Sequence, residues 1–173
     1  MFYRTCSKFL MACFFTAAFA MAGNAADVIK IGSVAPKSGA LAGGATVTQW
    51  PNVELWSKQV NAAGGINVGG KKMMVEVIEY DDKTNPAEHI KAAQRLATQD
   101  KVDFIVAPYG TGFNLAAAPI YAKYGYPQLA VSAITDKGPE LTERYDNFFL
   151  LLGDTTSFTN SVVDVLTDMR SAG

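Results

Sequence analysis

Residues 102–112, VDFIVAPYGTG, are the stretch that decides which fold this sequence predicts. The first six residues form a nearly continuous apolar run, and a run without polar alternation indicates a strand buried on both faces in a parallel sheet. Pro108 ends the run, a loop with two glycines follows, and a helix is predicted at residues 114–123. Strand, loop and helix in this order form the repeating unit of α/β domains.

The same unit recurs on both sides of this stretch. Further strands are predicted at residues 28–34, 73–80, 128–131 and 148–152, and further helices at residues 46–62, 86–97 and 158–169. This alternation predicts a doubly wound α/β domain with helices on both faces of a mostly parallel sheet. Right-handed crossovers place the loops that follow the strands along one edge, where such domains bind ligands.

The helix at residues 86–97 has the clearest predicted start. Asn85 is suited to cap it, and Pro86 suits the first helical position, where a missing N–H costs least. Glu88 stands where a capping-box side chain reaches back to the backbone N–H of the cap. The sequence therefore predicts a capping box at Asn85 and Glu88.

Residues 1–26 predict a secretory signal peptide. Arg4 and Lys8 give a basic start, an uncharged apolar run follows, and small residues lie at its end. Cleavage after Ala25 and cleavage after Ala26 both fit this pattern. The sequence thus predicts secretion, and a periplasmic location for the mature chain.

Composition and motifs argue against an enzyme and against a nucleic-acid-binding protein. The formal net charge is -1, and no basic stripe is present. Cys6 and Cys13 both lie in the predicted signal peptide, so the mature chain is left without a disulfide or a thiolate metal site. The one histidine, His89, is interpreted as a solvated side chain, and no Gly-x-Ser-x-Gly motif is present. No catalytic residue, metal or cofactor is predicted.

Two other polar motifs are interpreted as turns. Residues 65–72, GINVGGKK, approach a phosphate-binding loop, but Lys72 stands where a serine or threonine is required, and a strand follows instead of a helix. Asp81 and Asp82 end the predicted strand 73–80. Their position before a helix indicates that they accept hydrogen bonds from nearby backbone N–H groups.

The candidate ligand site combines two loops at the same predicted edge of the sheet. Gly110, Thr111 and Gly112 precede a helix, so backbone N–H groups and one hydroxyl are available to a carboxylate there. Residues 132–136, SAITD, follow the next strand. The two loops side by side predict a polar, uncharged cradle for a small ligand.

Several motifs, in this order, resemble the type I periplasmic binding proteins of the branched-chain amino acid (Leu/Ile/Val-binding) class. The resemblance runs from Asp27 to the end of the sequence. It rests on VIKIGSVAPKSG (28–39), VNAAGGIN (60–67), YDD with a following NP (80–86), FIVAPYGTG (104–112), IY (120–121) and GPEL (138–141). The ordered set is specific to the class, although no single motif is.

The resemblance implies roles for individual residues. In this class the loop that matches Gly110, Thr111 and Gly112 binds the carboxylate of an amino acid, with Thr111 at the position of a serine. Ile134 and Thr135 match the loop that binds the ligand's amino group. Here Ala133 replaces the usual proline and one extra residue precedes Pro139, so Thr135 and Asp136 remain alternatives for this role.

The resemblance also implies a two-lobed protein that closes over an amino acid or similar small polar solute and delivers it to the membrane permease of an ABC transporter. Residues 27–152 would form the N-terminal lobe, and residues 153–173 would begin the second lobe. The apolar stripe from Phe158 to Met169 lacks an obvious partner surface, so we expect the sequence to be an N-terminal fragment. A sensory receptor domain of the same fold, of the type that responds to amides or urea, is the alternative function.

Overall fold

The computed structural model describes residues 28–172; the signal peptide predicted for residues 1–26 lies outside the described residues. Strands and helices alternate along the chain, and a π-helical turn (Leu96–Asp100) follows the third helix. The elements are β1 (Val28–Ala35), α1 (Ala42–Thr48), α2 (Trp50–Ala62), β2 (Ile66–Val68), β3 (Lys71–Asp81), α3 (Pro86–Arg95), β4 (Phe104–Val106), α4 (Thr111–Tyr124), β5 (Gln128–Ala130), α5 (Gly138–Arg144), β6 (Phe148–Leu150) and α6 (Thr155–Ser171).

The strands confirm the predicted α/β class with a mostly parallel sheet. β1 is central and pairs in parallel with β3 along its whole length and with β4 over three residues. β5 and β6 form a second, two-stranded parallel sheet, so the hydrogen-bonded ladder is interrupted between β4 and β5. The carboxyl ends of β1, β3 and β4 lie at one edge, as the sequence predicts.

The prediction that residues 102–107 form one strand buried on both faces is wrong in part. Only Phe104–Val106 pairs as a strand, and the Phe104 side chain is 56% exposed. The ends of the run form other bonds, since the Val102 N–H donates to the Leu96 carbonyl and the Ala107 carbonyl accepts from the Gln49 side chain. Val102 is buried against Val34 and Leu96, in a part of the core that α3 and the following turn cover.

The predicted helix at residues 46–62 is two helices that meet at Gln49. Pro51 lies in the first turn of α2 and has no N–H to donate to the Val47 carbonyl. The Asn52 side-chain amide donates to that carbonyl instead, with Nδ2 at 3.1 Å. The break directs the Gln49 side chain inward, where its amide donates to the carbonyls of Val34 and Ala107.

Residues 65–72 form a hairpin, which confirms that this segment is a turn. β2 and β3 pair in antiparallel fashion across Gly69 and Gly70. The preceding helix, α2, ends with the Gly64 N–H bonded to the Asn61 carbonyl and the Gly65 N–H bonded to the Val60 carbonyl. This pair of bonds is the Schellman arrangement, which satisfies the last carbonyls of a helix.

The predicted cap of α3 is confirmed, but the capping box is not formed. The Asn85 side chain accepts hydrogen bonds from the N–H groups of Ala87 and Glu88, at 2.9 and 3.3 Å. The Asn85 N–H donates to the Asp82 carbonyl, so it does not need the Glu88 carboxylate. Glu88 forms an exposed ion pair with Lys91 instead.

We expect Asn85→Ala to lower the free energy of unfolding by about 1 kcal/mol, because two N–H groups at the start of α3 lose their acceptor. Urea unfolding followed by circular dichroism measures this change. Glu88→Ala is the matched control and is expected to change the free energy of unfolding much less than Asn85→Ala, since it removes an exposed pair and leaves the cap in place. An effect of Glu88→Ala as large as that of Asn85→Ala would contradict this account of the cap.

The last helix, α6, is confirmed at Thr155–Ser171, and its side chains are exposed throughout. The predicted apolar stripe lies on its surface; Phe158 is 48% exposed and Met169 is 68% exposed. Asp154 caps the helix by accepting a hydrogen bond from the Ser157 N–H. Of the helices in residues 28–172, none is both long and apolar enough to span a bilayer.

Candidate functional site

A depression at the carboxyl edge of the sheet contains most of the predicted site residues. We call it the α4 pocket, because the first turn of α4 forms one of its walls. The other walls come from the loop after β1, from α1, from the start of α3 and from the segments that follow β5 and β6. Its lining residues are Leu41, Thr48, Pro86, Tyr109, Gly110, Thr111, Gly112, Phe113, Val131, Ser132, Ile134 and Leu152.

The first turn of α4 provides the polar wall of this pocket. Gly110 precedes the helix with φ +87° and ψ 151°, a conformation that other residues rarely adopt. No side chain caps the helix, and its first turn contains no acidic residue. The N–H groups of the first turn have no acceptor within the helix, and the positive end of the helix dipole lies beside them. This arrangement favours an anionic group such as a carboxylate.

The Thr111 hydroxyl joins the two loops of the predicted site. It donates a hydrogen bond to the Ile134 carbonyl at 3.1 Å and accepts one from the Ile134 N–H at 3.0 Å. The structure thus brings Thr111 and Ile134 together, with both residues at the pocket. The hydroxyl hydrogen is used between the loops, so the donors that face an incoming anion are backbone N–H groups.

A second bond joins the same loops on the other side of Gly110. The Gly110 N–H donates to the Ser132 hydroxyl at 3.1 Å, and that hydroxyl donates to the Pro108 carbonyl at 3.0 Å. Beneath them, the buried Asn114 side chain donates to the carbonyls of Pro108 and Gly110. The buried Gln128 amide donates to Asn114 in turn. These bonds fix the path of the backbone that enters α4.

Thr135 and Asp136 lie outside the α4 pocket and line a separate depression beside α6. The Thr135 hydroxyl accepts a hydrogen bond from the Lys137 N–H. The Asp136 carboxylate accepts from the N–H groups of Thr155 and Thr156, at the start of α6. The structure therefore separates Thr135 from Gly110, Thr111, Gly112 and Ile134, which the pocket brings together.

Asp81 was predicted to accept hydrogen bonds from nearby backbone N–H groups, and in the structure it does so at the loop after β1. Its carboxylate accepts from the backbone N–H groups of Lys37, Ser38 and Lys83 and from the Ser38 hydroxyl. Burial acts to raise the pKa of Asp81, but these hydrogen bonds outweigh it and leave the pKa below its ordinary value. The prediction for Asp81 is confirmed.

The interpretation of His89 as a solvated side chain is wrong. Its ring is fully buried, and Nδ1 lies 2.9 Å from Oδ2 of Asp82, which is also fully buried. His89 points inward because it shares one face of its helix with Ala93 and Leu96, at i, i+4 and i+7, whereas Glu88 and Lys91 lie outside that face. That spacing was present in the sequence, and an aspartate seven residues earlier makes burial of the ring tolerable.

The walls contributed by Leu41, Thr48 and Pro86 are among the parts of the pocket that sequence reasoning missed. These residues belong to the loop after β1, to α1 and to the start of α3. The strand pattern contained a signal for these walls. Loops that follow parallel strands lie at the same edge of a sheet, so the loops after β1 and β3 end beside the loop after β4. Within residues 28–172, no group of three or more His, Asp or Glu side chains is arranged to hold a metal ion.

Comparison with known proteins identifies relatives of this chain. A family model described as periplasmic binding protein matches residues 28–172. A leucine-, isoleucine-, valine-, threonine- and alanine-binding protein of Pseudomonas aeruginosa is 30% identical over 145 residues, which are 83% of this chain and 36% of the relative.

Two solved structures share both sequence and fold with the chain. The branched-chain amino acid transporter substrate binding protein of Streptococcus pneumoniae, in complex with isoleucine, is 36% identical with a TM-score of 0.61; the match covers 71% of this chain and 33% of that protein. A solute binding protein of an ABC transporter from Rhodopseudomonas palustris, in complex with 3,4-dihydroxybenzoic acid, is 32% identical with a TM-score of 0.55, over 70% of this chain and 31% of the other. The chain thus spans about a third of the length of these relatives.

Proposed function

Because this chain belongs to the periplasmic binding protein family, in its branched-chain amino acid class, we propose that it forms part of the substrate-binding component of an ABC transporter. Its ligand is an amino acid or a similar small carboxylate. The permease of the transporter is the membrane partner, and the protein acts in the periplasm after removal of residues 1–26. Its function is binding and delivery, and it is not an enzyme.

The observation that carries this proposal is the uncapped start of α4 at the α4 pocket. Among the residues that line the pocket, none is charged, so the lining has no lysine or arginine with which to neutralise an anion. The N–H groups of Thr111, Gly112 and Phe113 are then the donors for the ligand's carboxylate. Gly110 lets the backbone turn into the helix without a side chain over these groups.

The remaining walls of the pocket favour a ligand with an apolar body. Leu41, Tyr109, Val131, Ile134 and Leu152 surround the polar first turn of α4. The ligands named for the two solved relatives, isoleucine and 3,4-dihydroxybenzoic acid, are both carboxylates with a largely apolar body. Thr135 remains our candidate for contact with an amino group, which would require the segment around it to move towards the pocket.

The domain division follows from the same proposal. Residues 27–152 form the N-terminal lobe, and residues 153–173 begin the second lobe, which closes over the α4 pocket. The exposed apolar stripe of α6 supports this division, because it is a surface suited to packing within another lobe. A lobe that closes in this way would exclude water from the carboxylate and strengthen its hydrogen bonds.

Isothermal titration calorimetry of the purified mature protein, with both lobes present, tests the proposal. The panel contains L-leucine, L-isoleucine, L-valine, L-threonine, L-alanine, 3,4-dihydroxybenzoate, acetamide and urea, with leucinamide as the control that lacks a carboxylate. We expect at least one carboxylate to bind and leucinamide to bind at least tenfold more weakly than leucine, if leucine is that ligand. Binding of acetamide or urea alone would favour the sensor alternative, and binding of no carboxylate would contradict the proposal.

A further inference from the structure

His89 and Asp82 form a buried polar pair behind the α4 pocket that ligand binding, as described above, does not use. Both side chains are fully buried, and their hydrogen bond is 2.9 Å long. A carboxylate oxygen can only accept, so Nδ1 of His89 carries the hydrogen of this bond. Nε2 is buried without a hydrogen-bond partner in the described part of the chain. Burying that nitrogen costs free energy that an apolar residue on the same face would avoid.

Asp82 is itself fixed to the edge of the sheet. Its N–H donates to the carbonyl of Ala35, the last residue of β1, and its Oδ1 accepts from the Thr84 N–H at 2.8 Å. Its carbonyl accepts from the N–H of Asn85, the residue that caps α3. The position of the His89 ring is therefore set by the end of β1, through Asp82.

The other side of the His89 ring contacts the pocket wall. The ring lies against Phe113, with 4.9 Å between the ring centroids and 35° between the ring planes. Phe113 is 5% exposed and is the third residue of α4, next to Thr111 and Gly112. A continuous series of contacts thus runs from Asp82 through His89 and Phe113 to the turn whose N–H groups face the pocket.

We propose that His89 is a positioning residue for ligand binding, which holds the first turn of α4 through its contact with Phe113. The inference rests on the proposed function, since the turn that it positions is the proposed carboxylate site. Asp82 orients the imidazole, and the imidazole limits how far Phe113 can shift. The N–H groups of the first turn then keep the direction that a carboxylate requires before the ligand arrives.

A double-mutant cycle on ligand affinity tests this inference. His89→Asn keeps a donor near the position of Nδ1 for Asp82 but removes the part of the ring that contacts Phe113. Calorimetry with L-leucine and with 3,4-dihydroxybenzoate compares the wild type, His89→Asn, Phe113→Leu and the double variant. Lys91→Ala, an exposed change on the same helix, is the control and is expected to bind like the wild type.

We expect His89→Asn to weaken binding about fivefold in a protein that remains folded by circular dichroism. In the Phe113→Leu background the same change is expected to weaken binding less than twofold, because the contact is already altered. Additive losses would contradict an action through Phe113, and unchanged affinity in His89→Asn would contradict any positioning role. If His89→Asn does not fold, His89→Gln replaces it in the cycle.

The sole imidazole of the chain provides a second readout that a purely structural role would not change. In ¹⁵N-detected spectra we expect the ring nitrogens of His89 to shift on addition of saturating ligand, because Phe113 lies between the ring and the pocket. Binding by the wild type without such a shift would contradict the inference alone. A wild-type protein that binds neither probe would contradict the proposed function and the inference together.

Discussion

Replacing Gly65 by alanine is expected to lower the free energy of unfolding by about 3 kcal/mol, the largest change in stability that we predict for a single methyl group. A Cβ atom on Gly65 would lie 2.2 Å from the Met73 carbonyl oxygen and 2.7 Å from its carbonyl carbon. Both are backbone atoms of β3, so the clash cannot be relieved by rotating a side chain. The φ of Gly65, +85°, adds the ordinary cost of a left-handed conformation.

Gly64→Ala is the matched control for this change. Gly64 has nearly the same backbone angle, φ +89°, but a Cβ atom there would have no neighbour within 4 Å. We expect it to cost only about 1 kcal/mol, the conformational part alone. Urea or thermal unfolding measures both variants, and the difference between them isolates the clash with β3. Equal losses in the two variants would show that the contact with Met73 has no effect.

The largest expected loss of ligand affinity follows from Thr111→Ala, which removes both hydrogen bonds to Ile134. The Ile134 N–H and carbonyl would lose a shared partner, and the loops on either side of the α4 pocket would separate more easily. We expect the affinity for a bound carboxylate to fall about tenfold or more, because two hydrogen bonds at roughly 0.7–1.4 kcal/mol each together contribute about 1.4–2.8 kcal/mol. Calorimetry with the tightest carboxylate of the panel measures the change.

Thr111→Ser distinguishes the effect of the Thr111 hydroxyl group from the effect of its methyl group. Serine keeps a hydroxyl that can form both bonds to Ile134, so its affinity is expected to stay within about threefold of the wild type. If Thr111→Ser binds as weakly as Thr111→Ala, the methyl group matters rather than the bonds between the loops. An affinity of Thr111→Ala within twofold of the wild type would contradict the role of Thr111 at the site.

The order of the long strands and helices followed from the sequence because it depends on periodicity, whereas the short elements β2 and α5 were not predicted. The lengths of the elements were predicted less well, because the end of an element depends on which partner a single backbone N–H or carbonyl group finds. Pro51 splits the helix predicted at residues 46–62, since the carbonyl of Val47 must find a donor other than a proline nitrogen. The run at residues 102–107 yields a three-residue strand because Leu96, at the end of the preceding helix, and Gln49, which is distant in sequence, take the bonds at its two ends.

The site was predictable where it depends on strand ends and not where it depends on side-chain partners. Gly110, Thr111 and Gly112 were placed correctly beside Ile134, because loops after parallel strands share one edge. Thr135 was predicted at the same place, but one residue along an irregular loop it faces a different depression. His89 was misplaced because its spacing with Ala93 and Leu96 was overlooked, and because its hydrogen bond with Asp82 forms across a turn whose path the sequence pattern does not specify.

The interruption of the hydrogen-bonded ladder between β4 and β5 has a consequence for cooperativity. The segment from β5 to β6 is joined to the rest of the sheet mainly by side chains, through Thr111, Ser132 and Gln128, rather than by a backbone ladder. We expect such a segment to open as a separate cooperative unit, with faster amide hydrogen exchange than β1 and β3. A ligand held at the start of α4 would slow that exchange, because it binds Thr111, whose hydroxyl forms the two hydrogen bonds to Ile134. The protection of the β5–β6 sheet against amide hydrogen exchange would thus report whether the α4 pocket is occupied.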